Sequence, residues 1–145
     1  MVFTASHYCY GNVVIDYLDP TGEYIHHRLF RQHCHFIPPY GPYVKDLRII
    51  DRDPSQMVLV DNAAYSYVFQ KDNGIPILPY YSGSDDFELM ALLKFLKGTN
   101  DIEDVRDRNR QIFKLEKYNP YSSCIELVEG LYAAQWLINS ENSHF

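Results

Sequence analysis

The sequence predicts an α/β fold, in which parallel β-strands alternate with α-helices. Two short apolar runs lead to this prediction because each ends abruptly in polar residues: Val2-Phe3 runs into Thr4, and Val58–Val60 runs into Asp61. Buried strands of parallel sheets have such unbroken apolar runs, and ligands bind beyond their carboxyl ends. Predicted strands and helices alternate along the chain, which implies a parallel sheet.

The first part of the chain is predicted to contain a strand, a helix and a second strand. The helix covers Gly11–Leu18 and ends at the turn Asp19-Pro20-Thr21-Gly22. Its apolar stripe is formed by Val13, Val14, Tyr17 and Leu18. The second strand is predicted at Tyr24–Phe30, and a proline-rich loop follows it.

Further along the chain, Val58–Val60 is the clearest buried strand, and Ile75–Leu78 is predicted to be a later one. Pro76 places this later strand near an edge of the sheet, because proline cannot donate a hydrogen bond to a neighbouring strand. A short apolar segment containing Leu47 and Ile50 precedes the turn before Val58–Val60.

Three helical segments are predicted after the strands. Asp85 and Glu88 form a plausible capping pair for the first, whose apolar positions follow helical spacing. These positions are Leu89, Leu92, Leu93 and Leu96. The charged run Asp101–Asn109 is interpreted as a solvated helix face, and Ile125–Leu137 as an amphipathic helix.

Composition excludes several classes of function. The 145 residues are 46% hydrophobic, which is enough for one core, and the net charge of −6 argues against binding to nucleic acid. No apolar run approaches the roughly 20 residues of a membrane span, and the first residues do not resemble a signal peptide. Three cysteines without framework spacing are typical of reduced thiols. We therefore expect a nuclear or cytoplasmic protein that does not bind a membrane.

Polar residues at the predicted strand ends indicate a candidate site. Thr4, Lys45 and the pair Asp61-Asn62 provide a hydroxyl, a cation and oxygen ligands, which a Mg²⁺-assisted phosphoryl-transfer site requires. Each also has a simpler interpretation, since Thr4 is consistent with a turn, a lysine in a loop is usually solvated, and Asp-Asn often caps a turn.

The histidine-rich segment His33-Cys34-His35 suggests a zinc site, because strand alternation would place both histidines on one face. His26 and His27 lie upstream, but no fourth ligand is evident. We therefore favour local hydrogen bonding or packing for these side chains. Cys34 lacks an identifiable orienting partner and is not interpreted as a nucleophile.

Several segments taken together resemble the small C-terminal-domain phosphatases of the haloacid dehalogenase superfamily, and they occur in the family's order. They are Phe3-Thr4-Ala5-Ser6, Arg28-Leu29-Phe30-Arg31, Tyr43-Val44-Lys45-Asp46-Leu47, Asp61-Asn62 with Ser66-Tyr67-Val68-Phe69, Asp72-Asn73-Gly74-Ile75-Pro76-Ile77, and Asp85-Asp86-Phe87-Glu88-Leu89. The resemblance implies a phosphatase domain at residues 1–106 and leaves 107–145 as a helical C-terminal extension of unknown role. It also implies a Rossmann-like parallel sheet flanked by helices.

The resemblance further implies a role for each matched residue. Thr4 matches the hydroxyl that binds the transferred phosphate, and Lys45 matches the lysine that neutralises it. Asp61 matches the acid that binds Mg²⁺, and Asn62 matches its neighbour in the coordination shell. The implied reaction is hydrolysis of a phosphoserine or phosphothreonine in a protein, through an aspartyl-phosphate intermediate.

Two further residues match positions that hold the phosphopeptide. Arg31 matches an arginine of the family's insertion, and Tyr10 matches an aromatic residue. The implied partner is thus a phosphoprotein, for example one that contains a phosphoserine peptide. Ala64 stands where the family usually has proline, a departure that concerns substrate fit more than the chemistry.

The largest departure concerns the family's Asp-x-Asp-x-Thr/Val motif, which supplies the nucleophile and the general acid from a central strand upstream of Thr4. The three residues before Thr4 contain no acid, and Asp16 and Asp19 follow it. We therefore expect a fold that lacks this first central strand, an N-terminally truncated chain, and no activity from the chain alone. The alternative is a non-enzymatic relative, either a pseudophosphatase or a phosphatase-like receptor subunit for protein import.

Overall fold

The structure is a computed structural model that describes residues 1–39, 41–82, 86–99 and 101–117. The chain divides into two compact units, Met1–Asp46 and the part that begins at Leu47. The polar candidates of the sequence fall into both units, and each unit is described in turn.

The first unit is built on a β-α-β element. Strand β1 (Val2–Phe3) leads into helix α1 (Tyr8–Leu18), and strand β2 (Arg28–Leu29) returns parallel to β1. Parallel strands need such a crossover, because a tight turn can join only antiparallel ones. Phe3, Ile15, Phe30 and Val44 are the buried hydrophobic residues of this unit.

Helix α1 starts three residues earlier than predicted and buries a different face. Gly11 and Ile15 point inward, whereas Val13, Tyr17 and Leu18 are 66%, 84% and 65% exposed. Glycine permits a close approach here, since a Cβ atom at Gly11 would lie 3.0 Å from the Phe30 ring. The apolar stripe of the sequence is therefore the exposed face of the helix, not its packed face.

The second predicted strand is shorter than expected because Asp19 binds the backbone that precedes it. The Asp19 carboxylate accepts hydrogen bonds from the N–H groups of Glu23, Tyr24 and Ile25 at 3.1, 2.9 and 2.7 Å. These N–H groups are thus engaged outside any sheet, and β2 is confined to Arg28–Leu29. Strand β3 (His35–Phe36) then pairs antiparallel with β4 (Tyr43–Val44).

The second unit contains the other parallel pair, β5 (Leu59–Asp61) and β6 (Gly74–Pro76). Asp61 is the last residue of β5 and lies opposite Pro76 in the register. Among the described residues β6 pairs with β5 alone, as expected for a strand that contains proline. The predicted strand at Ile75–Leu78 is therefore shifted by one residue at its start and ends earlier.

Two helices pack on this pair. They are α2 (Glu88–Lys97) and α3 (Val105–Phe113), and the rings of Phe95 and Phe113 meet at a centroid distance of 5.4 Å. The core of the unit is formed by Leu47, Leu59, Tyr67, Ile75, Phe95, Phe113 and Leu115. Short 3-10 helices connect these elements at Leu47–Ile50, Pro54–Gln56, Ala64–Tyr67, Lys71–Asn73 and Leu115–Lys117.

Some sequence predictions fall on residues that are not described. The predicted cap of α2 involves Asp85, which lies outside the described residues, and the Asp86 carboxylate accepts a 2.8 Å hydrogen bond from the N–H of Glu88. The predicted helix Ile125–Leu137 also lies outside them. The prediction that Asp101–Asn109 forms a solvated helix face is correct only in part, because α3 begins at Val105 and buries Asn109.

The fold is mixed α/β, with parallel strand pairs and three helices in the described part of the chain. That the fold lacks a central strand upstream of Thr4 stays a prediction. No helix in the described ranges is both long and apolar enough to cross a membrane.

Candidate functional site

The loop that follows β1 holds Thr4 in a fixed orientation. The backbone N–H of Thr4 donates to the carbonyl oxygen of Leu29 at 2.9 Å, which extends the pairing of β1 with β2. Its Oγ1 atom accepts a hydrogen bond from the N–H of Ser6 at 3.1 Å. Because the oxygen acts as an acceptor within the loop, the hydroxyl proton can be donated to a ligand.

Arg31 is bound to the same loop through main-chain atoms. Its Nε donates to the carbonyl oxygen of Ala5 at 2.6 Å, and its backbone N–H donates to that of Ser6 at 3.0 Å. The guanidinium is thus fixed beside the residues that follow Thr4. The structure therefore brings together two residues, Thr4 and Arg31, that the sequence only suggested separately.

Two neighbours of the Arg31 side chain were not singled out by the sequence. The guanidinium carbon lies 4.9 Å from the ring centroid of Tyr43, a cation–π contact, and Nη1 lies 2.9 Å from Nε2 of His7. Tyr43 belongs to the Tyr-Val-Lys-Asp-Leu segment, so its proximity to a site residue could have been anticipated. Nothing in the sequence pattern points to His7.

The remaining candidates of the first unit lie on β4 and α1. Lys45 directly follows β4 and is buried, with 8% of its surface exposed. A lysine is rarely buried unless its charge is paired, and Lys45 has an interaction partner in the structure. Tyr10 lies on α1 and is 66% exposed, so its ring is accessible to a ligand.

Asp61 and Asn62 belong to the second unit, where they end β5. Asp61 is buried, and its Oδ1 accepts a 2.8 Å hydrogen bond from the N–H of Ala63, whereas Asn62 is exposed. This bond tightens the chain just after the strand, as in the turn that the sequence also allowed. A turn and a ligand site are compatible, because a carboxylate has a second oxygen and further lone pairs.

Asp61 and Asn62 are the candidate metal ligands. Carboxylate and amide oxygens are ligands that Mg²⁺ prefers, and Asp61-Asn62 provides both. However, the described residues contain no group of three His, Cys, Asp or Glu side chains placed to hold a metal ion. Magnesium binding at Asp61-Asn62 therefore stays a prediction.

The hydroxyl group of Tyr67 lies near the Asp61 carboxylate and is fully buried. Burial raises the pKa of Tyr67, and the negative charge of Asp61 raises it further. Its ring packs directly on Gly74, where a Cβ atom would lie 2.7 Å from the ring. Tyr67 thus stays neutral.

The structure supports local hydrogen bonding, rather than zinc binding, for His33. This residue lies in the 3-10 helix Arg31–His33 and not on a strand, so it does not alternate with His35 as the zinc hypothesis required. Its Nδ1 accepts a 2.9 Å hydrogen bond from the N–H of Phe30. The ring therefore has a local structural role.

The 145-residue sequence contains one Asp-x-Asp segment, Asp51-Arg52-Asp53, and it is followed by Pro54-Ser55. Asp53 caps the 3-10 helix Pro54–Gln56 by accepting a 2.9 Å hydrogen bond from the N–H of Ser55. This hydrogen bond lowers the pKa of Asp53. Asp53 thus acts as a helix cap.

Comparison with known proteins identifies relatives for most of the chain. The profile of the NLI interacting factor-like phosphatase family matches residues 1–106. CTD small phosphatase-like protein 3 of Caenorhabditis elegans is 43% identical over 131 residues, which are 90% of this chain and 45% of that protein. CTD nuclear envelope phosphatase 1 of Xenopus tropicalis is 38% identical over 112 residues, or 75% of this chain and 45% of that protein.

A human relative is similar to the same extent. The carboxy-terminal domain RNA polymerase II polypeptide A small phosphatase 1 is 39% identical over 111 residues, which are 77% of this chain and 41% of that protein. The chain spans less than half the length of each of these three relatives.

Proposed function

Because this chain belongs to the NLI interacting factor-like phosphatase family, we propose that it forms part of a Mg²⁺-dependent protein phosphoserine/threonine phosphatase. The observation that supports the proposal best is the attachment of Arg31 to the loop that carries Thr4. A hydroxyl donor and a fixed guanidinium at one strand end suit a phosphorylated side chain, since guanidinium groups bind phosphate through directed hydrogen bonds.

We assign the phosphoryl group to Thr4 and Lys45. The Thr4 hydroxyl donates to one phosphoryl oxygen, because its own oxygen already accepts the N–H of Ser6. The Lys45 ammonium neutralises charge that develops on the phosphoryl oxygens, and its burial strengthens this effect. Arg31 and the exposed ring of Tyr10 hold the peptide around the phosphorylated residue.

Asp61 and Asn62 are proposed to contribute oxygen ligands to the magnesium site. Magnesium, when bound, neutralises phosphate charge and orients the oxygen atoms. Magnesium usually binds one or two protein carboxylates and completes its coordination with water and substrate phosphate oxygens. The chemistry of this chain's own residues is therefore the binding and orientation of the phosphate.

We also propose that residues 1–145 alone hydrolyse no phosphate monoester. An aspartyl-phosphate requires an aspartate in line with the phosphorus, and the sequence contains no Asp-x-Asp-x-Thr or Asp-x-Asp-x-Val segment. The nucleophile must then be supplied by protein outside these residues. The proposed place of action is the nucleus or the cytoplasm, and the proposed substrate is a phosphoprotein.

A direct experiment compares the chain with a version extended at its N-terminus by a strand that bears Asp-x-Asp-x-Thr. Only the extended chain is expected to hydrolyse a phosphoserine peptide, and only with Mg²⁺. In the extended chain, Lys45→Ala should lower the rate by about 10²-fold or more, as expected for loss of one group that stabilises a transition-state oxyanion. Lys97→Ala on α2 is the matched control and should leave the rate unchanged.

Two results would contradict the proposal. Turnover by residues 1–145 alone, abolished by Asp61→Ala, would show that the nucleophile is already present. Full activity of the Lys45 variant would show that another cation neutralises the phosphate. The alternative candidate is a pseudophosphatase that binds phosphopeptides without turnover. That candidate predicts binding, but no hydrolysis, by the extended chain.

A further inference from the structure

The contact between His7 and Arg31 defines the state of the imidazole. Nη1 of Arg31 lies 2.9 Å from Nε2 of His7, which is hydrogen-bonding distance. A guanidinium has N–H donors and no acceptor, so Nε2 of His7 must be the acceptor. The imidazole is therefore neutral, with its proton on Nδ1.

The other contacts of Arg31 restrict its orientation. The Nε–H group is used by the carbonyl oxygen of Ala5, and the ring of Tyr43 lies against the guanidinium. With one N–H of Nη1 directed at His7, three of the five donors remain for a ligand. An anion bound by those donors would lie within a few ångströms of the His7 ring.

We propose that His7 and Arg31 form a two-residue anion site in which His7 takes up a proton when the anion binds. This inference rests on the proposed role of Arg31 in holding a phosphorylated side chain. Without an anion, neutral His7 accepts a hydrogen bond from Arg31. With an anion present, protonated His7 turns from acceptor to donor and contributes a second positive charge.

The groups around His7 allow its protonation to be followed separately. Arg31 is the charged side chain that contacts His7 in the described part of the chain, and it keeps its charge at all relevant pH values. Tyr43 contacts the guanidinium through its ring and carries no positive charge. His33 differs from His7 because its Nδ1 accepts a hydrogen bond from the N–H of Phe30.

The site can be tested with inorganic sulfate, which keeps its double negative charge where a phosphate monoester changes its own. Sulfate affinity of the 145-residue chain is measured by NMR titration at constant ionic strength, together with the Hε1 resonance of His7. From about pH 8 to about pH 6, where imidazoles gain a proton, affinity should rise by at least about fivefold, the effect of one added charge about 4 Å from an anion.

His7→Gln is the matched variant, because the glutamine amide can still accept from Arg31 but does not titrate. Its sulfate affinity should match the wild type near pH 8 and stay constant on acidification. In the wild type, sulfate should also shift the His7 resonance toward its protonated position. If the sulfate affinity of the wild type and of His7→Gln depended equally on pH, while binding still required Arg31, only the inference about His7 would be overturned. Sulfate binding that is absent, or unaffected by Arg31→Ala, would overturn both this inference and the proposed role of Arg31.

Discussion

The side-chain amide of Asn73 connects the start of β6 to the segment that leads into β5. Its Nδ2 atom donates to the carbonyl oxygens of Pro54 and Met57, both at 2.7 Å, and the residue is 2% exposed. β5 starts two residues after Met57 and ends in Asp61. We therefore expect Asn73 to stabilise the segment that carries the proposed metal ligand.

The cost of removing this amide follows from its two hydrogen bonds. Each hydrogen bond contributes about 1 kcal/mol net, and a buried carbonyl left without a partner costs about 1–3 kcal/mol. The Pro54 oxygen keeps a second donor, the N–H of Met57, so only the Met57 oxygen loses its recorded partner. Asn73→Ala should thus lower the free energy of unfolding by about 2–4 kcal/mol.

Urea denaturation followed by far-ultraviolet circular dichroism measures this loss directly. With a slope of about 2 kcal/mol per molar urea, the midpoint of Asn73→Ala should fall by roughly 1–2 M. Asn73→Asp keeps the shape of the side chain but directs a negative charge at two carbonyl oxygens, so it should be at least as destabilising. Gln111→Ala on the exposed face of α3 is the control and should change stability by about 0.5 kcal/mol or less.

The aspartate variant provides the critical result. If Asn73→Asp were as stable as the wild type, the side-chain nitrogen could not be donating to both carbonyl oxygens. The assignment of Asn73 as the link between the two strand segments would then be wrong, whatever the result for alanine.

Two further predictions concern the first unit. Burial opposes ionisation of Asp19, but the N–H groups of Ile25, Tyr24, Glu23 and Gly22 together outweigh it and lower the pKa of Asp19. Because the pKa of Asp19 is lower in the folded chain than in the unfolded chain, where it is about 3.9, its ionised carboxylate stabilises the fold above about pH 3.9. This stabilisation is lost as the pH falls through the pKa of the folded state. Asp19→Asn should therefore be less stable than the wild type at neutral pH, with the difference in thermal midpoint vanishing in acid; a constant difference would contradict this. Gly11→Leu should destabilise the chain by about 1–3 kcal/mol through overpacking against Phe30, despite the better helix propensity of leucine, whereas Val13→Leu should have little effect in the same thermal denaturation.

The sequence predicted the strand ends well and the connections between them less well. Thr4 and Asp61 lie at or directly after the ends of β1 and β5, because unbroken apolar runs with abrupt polar ends are local patterns. The strand at Tyr24–Phe30 was too long because the Asp19 carboxylate binds N–H groups four to six residues away. These hydrogen bonds depend on the three-dimensional path of the chain, which hydrophobic periodicity does not predict.

The packed face of α1 was predicted wrongly for a related reason. Hydrophobicity favoured Val13 and Tyr17, but the close approach of the helix depends on the absence of a side chain at Gly11. Periodicity analysis gives little weight to glycine, so it cannot detect this contact. The contact of His7 with Arg31 was equally inaccessible, since it joins residues 24 positions apart.

The way in which Arg31 is held has a consequence for how this region tolerates change during evolution. Two of its bonds end on the main-chain oxygens of Ala5 and Ser6, which every amino acid possesses. Exchange of the side chains at these two positions leaves both acceptors in place. An insertion or deletion between β1 and α1 would displace them and release the guanidinium. For holding Arg31, the length of this loop therefore matters more than which side chains stand at Ala5 and Ser6.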